Sequence, residues 1–194
     1  MGSATPIVLV TGPPASGKSF VAAHVADRLR LPLIAKDAIK ETLFETLGTG
    51  DVAWSQRLGR ATFALMLRAL EGQLKAGRPV VVEANLAPDD ARPAFQALHE
   101  RTPLRALELH CTAPEDLLQE RYAARAGSRH AGHLDEQQIA AIASAVSSGR
   151  YRPLGLSPEL IVVDTTSFDD VDIDALAQEA ADHVRTGLRE RGSA

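Results

Sequence analysis

The stretch that most constrains this fold is Gly12-Pro13-Pro14-Ala15-Ser16-Gly17-Lys18-Ser19. It follows an apolar run, Ile7-Val8-Leu9-Val10, and opens an amphipathic segment from Phe20 to Leu29. Strand, glycine-rich turn and helix in that order are the setting in which G-x-x-x-x-G-K-[ST] cradles phosphate. Gly12 and Gly17 let the backbone curl until successive N–H groups point at one anion. The helix beginning near Lys18 adds the positive end of its dipole. Lys18 is expected to bridge the β- and γ-phosphates of a nucleoside triphosphate, and the Ser19 hydroxyl to hold Mg2+. At average residue usage the bare pattern arises by chance in roughly one chain of this length in a hundred. The correct flanks make it rarer still.

Past this loop, short apolar runs alternate with helical stretches along the whole chain. Leu31-Pro32-Leu33-Ile34-Ala35, Val80-Val81-Val82, Leu104 to His110 and Leu160-Ile161-Val162-Val163 read as strands. Between and after them, helical patterns run over Asp37–Leu47, Val52–Ala76, Pro88–Glu100, Ala113–Ala126, Asp135–Ser148 and Val171–Arg189. Gly77, with Pro79 just beyond, closes the longest of these, and Asp135 is a candidate N-cap. Such alternation predicts an α/β fold with a parallel sheet and right-handed crossovers. Ligands then sit beyond the carboxyl ends of the strands, where every motif below lies.

With 194 residues the chain suits one domain with a substantial core. A net charge of −4 provides no general attraction to nucleic acid or to anionic membrane, although a local basic patch remains able to bind either. Cys111 is the only cysteine, so an internal disulfide framework is excluded and a reducing compartment is expected. No apolar stretch approaches 18 residues and no charged segment precedes the first apolar run. A cytoplasmic location is the expectation.

Four further groups of residues carry chemistry. Asp37 sits just past the second strand with Lys40 one turn on; a carboxylate there can take the proton of an acceptor hydroxyl while Lys40 steadies nearby charge. The position also suits a helix N-cap. Glu83 ends the third strand and is preferred as a Mg2+ support acting through water, with Asp164 at the end of the fifth strand as its rival. Thr165 and Thr166 are expected near the nucleotide base. Arg121, Arg125 and Arg129, four apart, form a drifting stripe that leads into His130 and His133, with Gly127 and Gly132 permitting movement. Basic groups on a mobile segment are what phosphoryl transfer uses to close over a triphosphate, although a solvated basic face would read the same way. A metal site from His130, His133 and Cys111 is a weaker alternative. Trp54, the only tryptophan, either lines an acceptor pocket or packs.

With these residues in view, the chain resembles the small phosphate-loop kinases of the adenylate-kinase-like group. It looks most like the bacterial kinase families related to chloramphenicol phosphotransferase, zeta toxins and polynucleotide 5′-kinase. The marks are the loop from Gly12 to Ser19, Lys36-Asp37-Ala38-Ile39-Lys40, Val82-Glu83-Ala84-Asn85, Glu120-Arg121-Tyr122-Ala123-Ala124-Arg125 and Val163-Asp164-Thr165-Thr166. The resemblance implies one domain over residues 1–194: a three-layer sandwich with a five-stranded parallel sheet in order 2-3-1-4-5 and a mobile lid at about 121–135. It further implies that Asp37 is the general base, that Arg121 and Arg125 grip phosphates, and that Gly12, Pro13, Pro14, Ala15, Ser16, Gly17, Lys18, Ser19, Phe20, Thr165 and Thr166 contact ATP. Where polynucleotide kinases carry an arginine, this chain has Lys40, which lacks the bidentate fork.

The activity expected is transfer of the γ-phosphoryl of ATP, with Mg2+, to a hydroxyl of a small molecule. A polynucleotide or RNA 5′-hydroxyl kinase and an acceptor-independent ATPase or nucleotide-binding module are the alternatives. Neither the guanine-reading Asn-Lys-x-Asp nor the transporter Leu-Ser-Gly-Gly-Gln occurs.

Overall fold

The structure, a computed structural model, describes residues 4–125 and 130–192. Five strands, β1 (Thr5–Thr11), β2 (Leu33–Ala35), β3 (Val80–Glu83), β4 (Leu104–Thr112) and β5 (Leu160–Asp164), form a single sheet in the order β2-β3-β1-β4-β5. Every neighbouring pair is parallel. Among the described residues seven α-helices accompany them: α1 (Lys18–Leu29), α2 (Lys36–Leu47), α3 (Val52–Lys75), α4 (Pro88–Arg101), α5 (Glu115–Arg125), α6 (Asp135–Ser147) and α7 (Ile173–Gly192). The expected fold class and strand order are those observed.

Alternate residues of β1 face opposite layers, as the period of a strand requires. Ile7 and Leu9 join Met66, Leu70 and Leu74 of α3 and Phe95 and Leu98 of α4 in one core. Val8 and Val10 join Val21, Ala22 and Val25 of α1 and Ala180 of α7 in the other. Burying each of the Val, Leu, Ile, Met and Phe side chains among these stabilises the fold by about 1.5–3 kcal/mol. β1 lies centrally, so its C-terminal end, where the phosphate loop begins, is the best-supported point of the sheet. Among the described residues no helix is long and apolar enough to cross a membrane.

Some boundaries differ from the sequence reading for identifiable reasons. β2 begins at Leu33, because Pro32 has no N–H for the ladder, although its carbonyl still accepts from Val81 at 3.0 Å. Asp135 is not an N-cap: Leu134 occupies that place in the left-handed region with φ 54°. The Asp135 carboxylate, buried, instead accepts from the Tyr122 hydroxyl at 3.0 Å and ties α6 to α5.

Candidate functional site

The loop between β1 and α1 depends on its two glycines. Gly12 has φ 135°, and a Cβ there would stand 2.2 Å from the carbonyl oxygen of Cys111, so only glycine lets the end of β1 lie against β4. Gly17 caps α1 with φ 74°, and its Cβ would meet the Phe168 ring at 2.4 Å. Lys18, only 7% exposed, donates to the Pro13 carbonyl at 2.7 Å across the loop. Burial holds its ammonium below the usual lysine range, with the carboxylates of Glu83 and then Asp37 opposing. The Ser16 hydroxyl is buried with no hydrogen-bond partner among the described residues. An orphaned buried hydroxyl in this glycine-bounded loop suits a bound phosphate oxygen.

Across from the loop, α2 starts directly after β2. Its N-cap is Ala35, with no side-chain capping bond, which leaves Asp37 inside the first turn rather than capping it. A cleft of about 100 Å³ opens there, its lining including Lys18, Ser19, Asp37, Lys40, Glu83 and Arg125. Lys36 donates to Asn85 Oδ1 at 2.8 Å, fixing the loop after β3 to α2. Thus Asp37, Lys40, Lys18 and Ser19 share one space, and Glu83, 4% exposed at the end of β3, forms its floor.

The two carboxylates weighed for metal support are placed very differently. Glu83 is buried in the cleft beside Lys18. Asp164 is exposed and accepts from both the N–H (2.8 Å) and the hydroxyl (2.5 Å) of Thr166, bonds that hold its carboxyl below the usual aspartate range. Thr165 stands within 2.9 Å of the carbonyl oxygens of Ser16 and Thr112, joining the phosphate loop to β4.

The two described arginines of the stripe separate. The Arg121 guanidinium donates to the carbonyls of Thr165 and Thr166, each at 2.9 Å, and lies 4.5 Å from the Phe168 ring centre. Phe20 sits 5.2 Å from the same ring. This places Arg121 at the β5–α7 loop, beside the residues that pack on Ser16 and Gly17, and it is not among the residues lining the cleft. Arg125 does line the cleft. Arg129 and Gly127 lie outside the described residues.

His130 and His133 turn toward α2. His133 Nε2 is 3.0 Å from Glu41 Oε1, and the His130 ring stacks on Phe44 at 5.2 Å. Cys111 is fully buried in β4, and burial pushes its thiol up to about 12. Among the described residues no group of three or more His, Cys, Asp or Glu side chains is arranged to hold a metal ion. Trp54 packs: its Nε1–H donates to the Gly48 carbonyl at 3.0 Å, closing the α2–α3 turn, and it is not part of the cleft wall.

Sequence reasoning missed Phe168, Glu41, Ser55 and Glu108. Ser55 and Glu41 carry no motif and matter only because the chain after α5 folds back onto α2. Glu108, 2% exposed, accepts from Thr11 Oγ1 and the Leu154 N–H, both at 2.7 Å, and from the Gly155 N–H at 2.9 Å. A carboxylate set between Leu107 and Leu109 in an apolar stretch is the signal that could have found it.

A family model described as AAA domain matches residues 7–148. A solved candidate kinase from Chloroflexus aurantiacus j-10-fl is 34% identical, with a TM-score of 0.82 over 92% of this chain and 98% of that one. The APS kinase of Mycobacterium tuberculosis, solved with AMPPNP and APS, is 21% identical with a TM-score of 0.57 over 95% of this chain and 99% of that one. The Acinetobacter baumannii shikimate kinase, solved with shikimate, is 17% identical with a TM-score of 0.56 over 93% of each chain. At those last two identities the likeness is one of fold. No curated protein matches the sequence.

Proposed function

The chain belongs to the AAA domain family, and from that membership we propose that it is an ATP-dependent phosphotransferase acting on a hydroxyl of a small molecule. The observation that carries this reading is the meeting of Lys18 and Ser19 of the phosphate loop with Asp37 and Lys40 of α2 in one cleft. A phosphoryl donor and an acceptor hydroxyl need to be held face to face, and little else, for this reaction.

In the proposed reaction the Asp37 carboxylate accepts the proton of the acceptor hydroxyl. The oxygen so activated bonds to the γ-phosphorus as the bond to the β–γ bridging oxygen breaks, and ADP leaves with that electron pair. Lys18 follows the γ-phosphoryl, and Lys40 and Arg125 offset charge around it. The Ser19 hydroxyl would hold Mg2+, with Glu83 acting through water, and the ion would supply neutralising charge to the phosphates. Gly12 to Ser19 wrap the phosphates. Arg121, Phe20, Phe168, Thr165 and Thr166 frame the base end of the nucleotide, which assigns Arg121 to the base and Arg125 to the phosphates.

The test is transfer of label from γ-labelled ATP with Mg2+ to a panel of sugars, aminoglycosides, chloramphenicol-type alcohols, nucleosides, nucleotide sugars and 5′-hydroxyl oligonucleotides. A labelled small-molecule product supports the proposal. A labelled oligonucleotide alone selects the polynucleotide-end kinase, and phosphate release that ignores every acceptor selects an ATPase.

A further inference from the structure

A hydroxyl that this mechanism does not use joins the two halves of the site. Ser55, in the first turn of α3, is 3% exposed. Its Oγ accepts from Lys40 Nζ at 3.1 Å and donates to the Gly132 carbonyl at 3.0 Å. A hydroxyl has one proton to give and lone pairs to receive, so it makes both bonds at once. One partner lines the acceptor side of the cleft; the other belongs to the turn that precedes α6.

The surroundings fix that turn in place. Gly132 packs so tightly on Phe44 that a Cβ would stand 2.6 Å from the ring. Phe44 is met edge-on by the His133 ring at 5.4 Å and carries Lys40 Nζ 5.3 Å from its centre. With the His133–Glu41 pair, the turn is latched to α2 and α3 at three points, and at one of them Ser55 accepts a hydrogen bond from Lys40.

We propose that Ser55 is a positioning residue: its bridge from Lys40 to the Gly132 carbonyl sets the lysine for the acceptor only while the lid turn is docked. The proposal rests on the kinase reading. When the turn leaves, the Ser55 proton loses its acceptor and the hydroxyl is free to turn about its Cβ, so its lone pairs are no longer held in a fixed direction toward Lys40. Linkage makes the effect reciprocal, so an acceptor engaged by Lys40 also favours the docked lid. The site thereby closes to water when there is an acceptor to receive the phosphoryl group.

The test compares wild type with Ser55→Ala and Ser55→Thr. Hydrogen exchange is read over residues 130–147 with AMPPNP and Mg2+ bound, and transfer kinetics with the acceptor returned by the panel. Ser55→Ala is expected to speed exchange in that segment and raise the acceptor KM roughly tenfold, the weight of one hydrogen bond to a charged group. AMPPNP affinity stays unchanged, and Ser55→Thr restores both readouts. Unaltered exchange in Ser55→Ala, or a loss confined to kcat that Ser55→Thr does not rescue, overturns the proposal. Should no acceptor receive label, the kinase reading fails in the transfer assay, while exchange still decides whether Ser55 holds the lid.

Discussion

Replacing Glu108 by glutamine tests whether the platform under the phosphate loop is held by a buried carboxylate. Thr11, the residue before Gly12, donates to Glu108 Oε1 together with the Leu154 N–H, and Gly155 donates to Oε2. A glutamine amide keeps one oxygen. Its least costly orientation leaves that oxygen on Thr11 and the buried Leu154 N–H and turns the NH2 group toward Gly155, where donor meets donor. One charge-assisted bond is lost, and the two that remain drop from charged to neutral strength. Together these come to about 2–3 kcal/mol, a large part of the 5–15 kcal/mol typical of a domain. Glu108→Ala strands the buried Leu154 N–H, leaves Thr11 only the His110 ring nitrogen at 3.0 Å and opens a cavity, costing about 3–5 kcal/mol. Urea unfolding followed by circular dichroism reads the difference as a shift of midpoint at constant slope. A Glu108→Gln loss below about 0.5 kcal/mol, the scatter of surface substitutions, refutes the reasoning.

Gly12→Ala puts a methyl group into the Cys111 carbonyl at 2.2 Å, so nucleotide binding measured by calorimetry should vanish, while an alanine at exposed Gly149 leaves it intact. Cys111, with its thiol pushed up to about 12 by burial, should resist alkylation at pH 8 in the native protein and react as urea unfolds it. The same shift predicts the sign of a pH effect. Between the ordinary value of 9.0 and about 12 the unfolded chain has released a proton that the folded chain keeps, so unfolding free energy falls as pH rises through that window; Cys111→Ala removes that slope. Arg121→Ala should weaken AMPPNP binding more than it slows transfer at saturating ATP, since its guanidinium sits on the Thr165 and Thr166 carbonyls beside Phe168; an unchanged affinity would remove it from the nucleotide site.

The sheet and the phosphate loop were legible in the sequence because their signals are local. Val80-Val81-Val82 can only be a buried strand, and Gly12 to Ser19 dictates its own backbone. Glu83 was legible as a strand-end carboxylate, although its depth beside Lys18 was not. Contacts across the cleft were not legible at all. Ser55 meets Gly132 across 77 residues and His133 meets Glu41 across 92, and no spacing rule reaches that far. The Arg121–Arg125 pair shows the same limit from the other side. One helix turn apart in sequence, they part in space: Arg121 donates to the Thr165 and Thr166 carbonyls, while Arg125 lines the cleft.

The central claim is that Asp37 takes the acceptor proton in a site that binds ATP without it. It is tested most directly by measuring ATP affinity and γ-phosphoryl transfer side by side in wild type and Asp37→Asn. With Asp37 as the base, the two proteins bind ATP equally and Asp37→Asn transfers more slowly by about 10²–10⁴-fold, the usual worth of a general base. Transfer at near wild-type rate in Asp37→Asn, with ATP still bound, would contradict it.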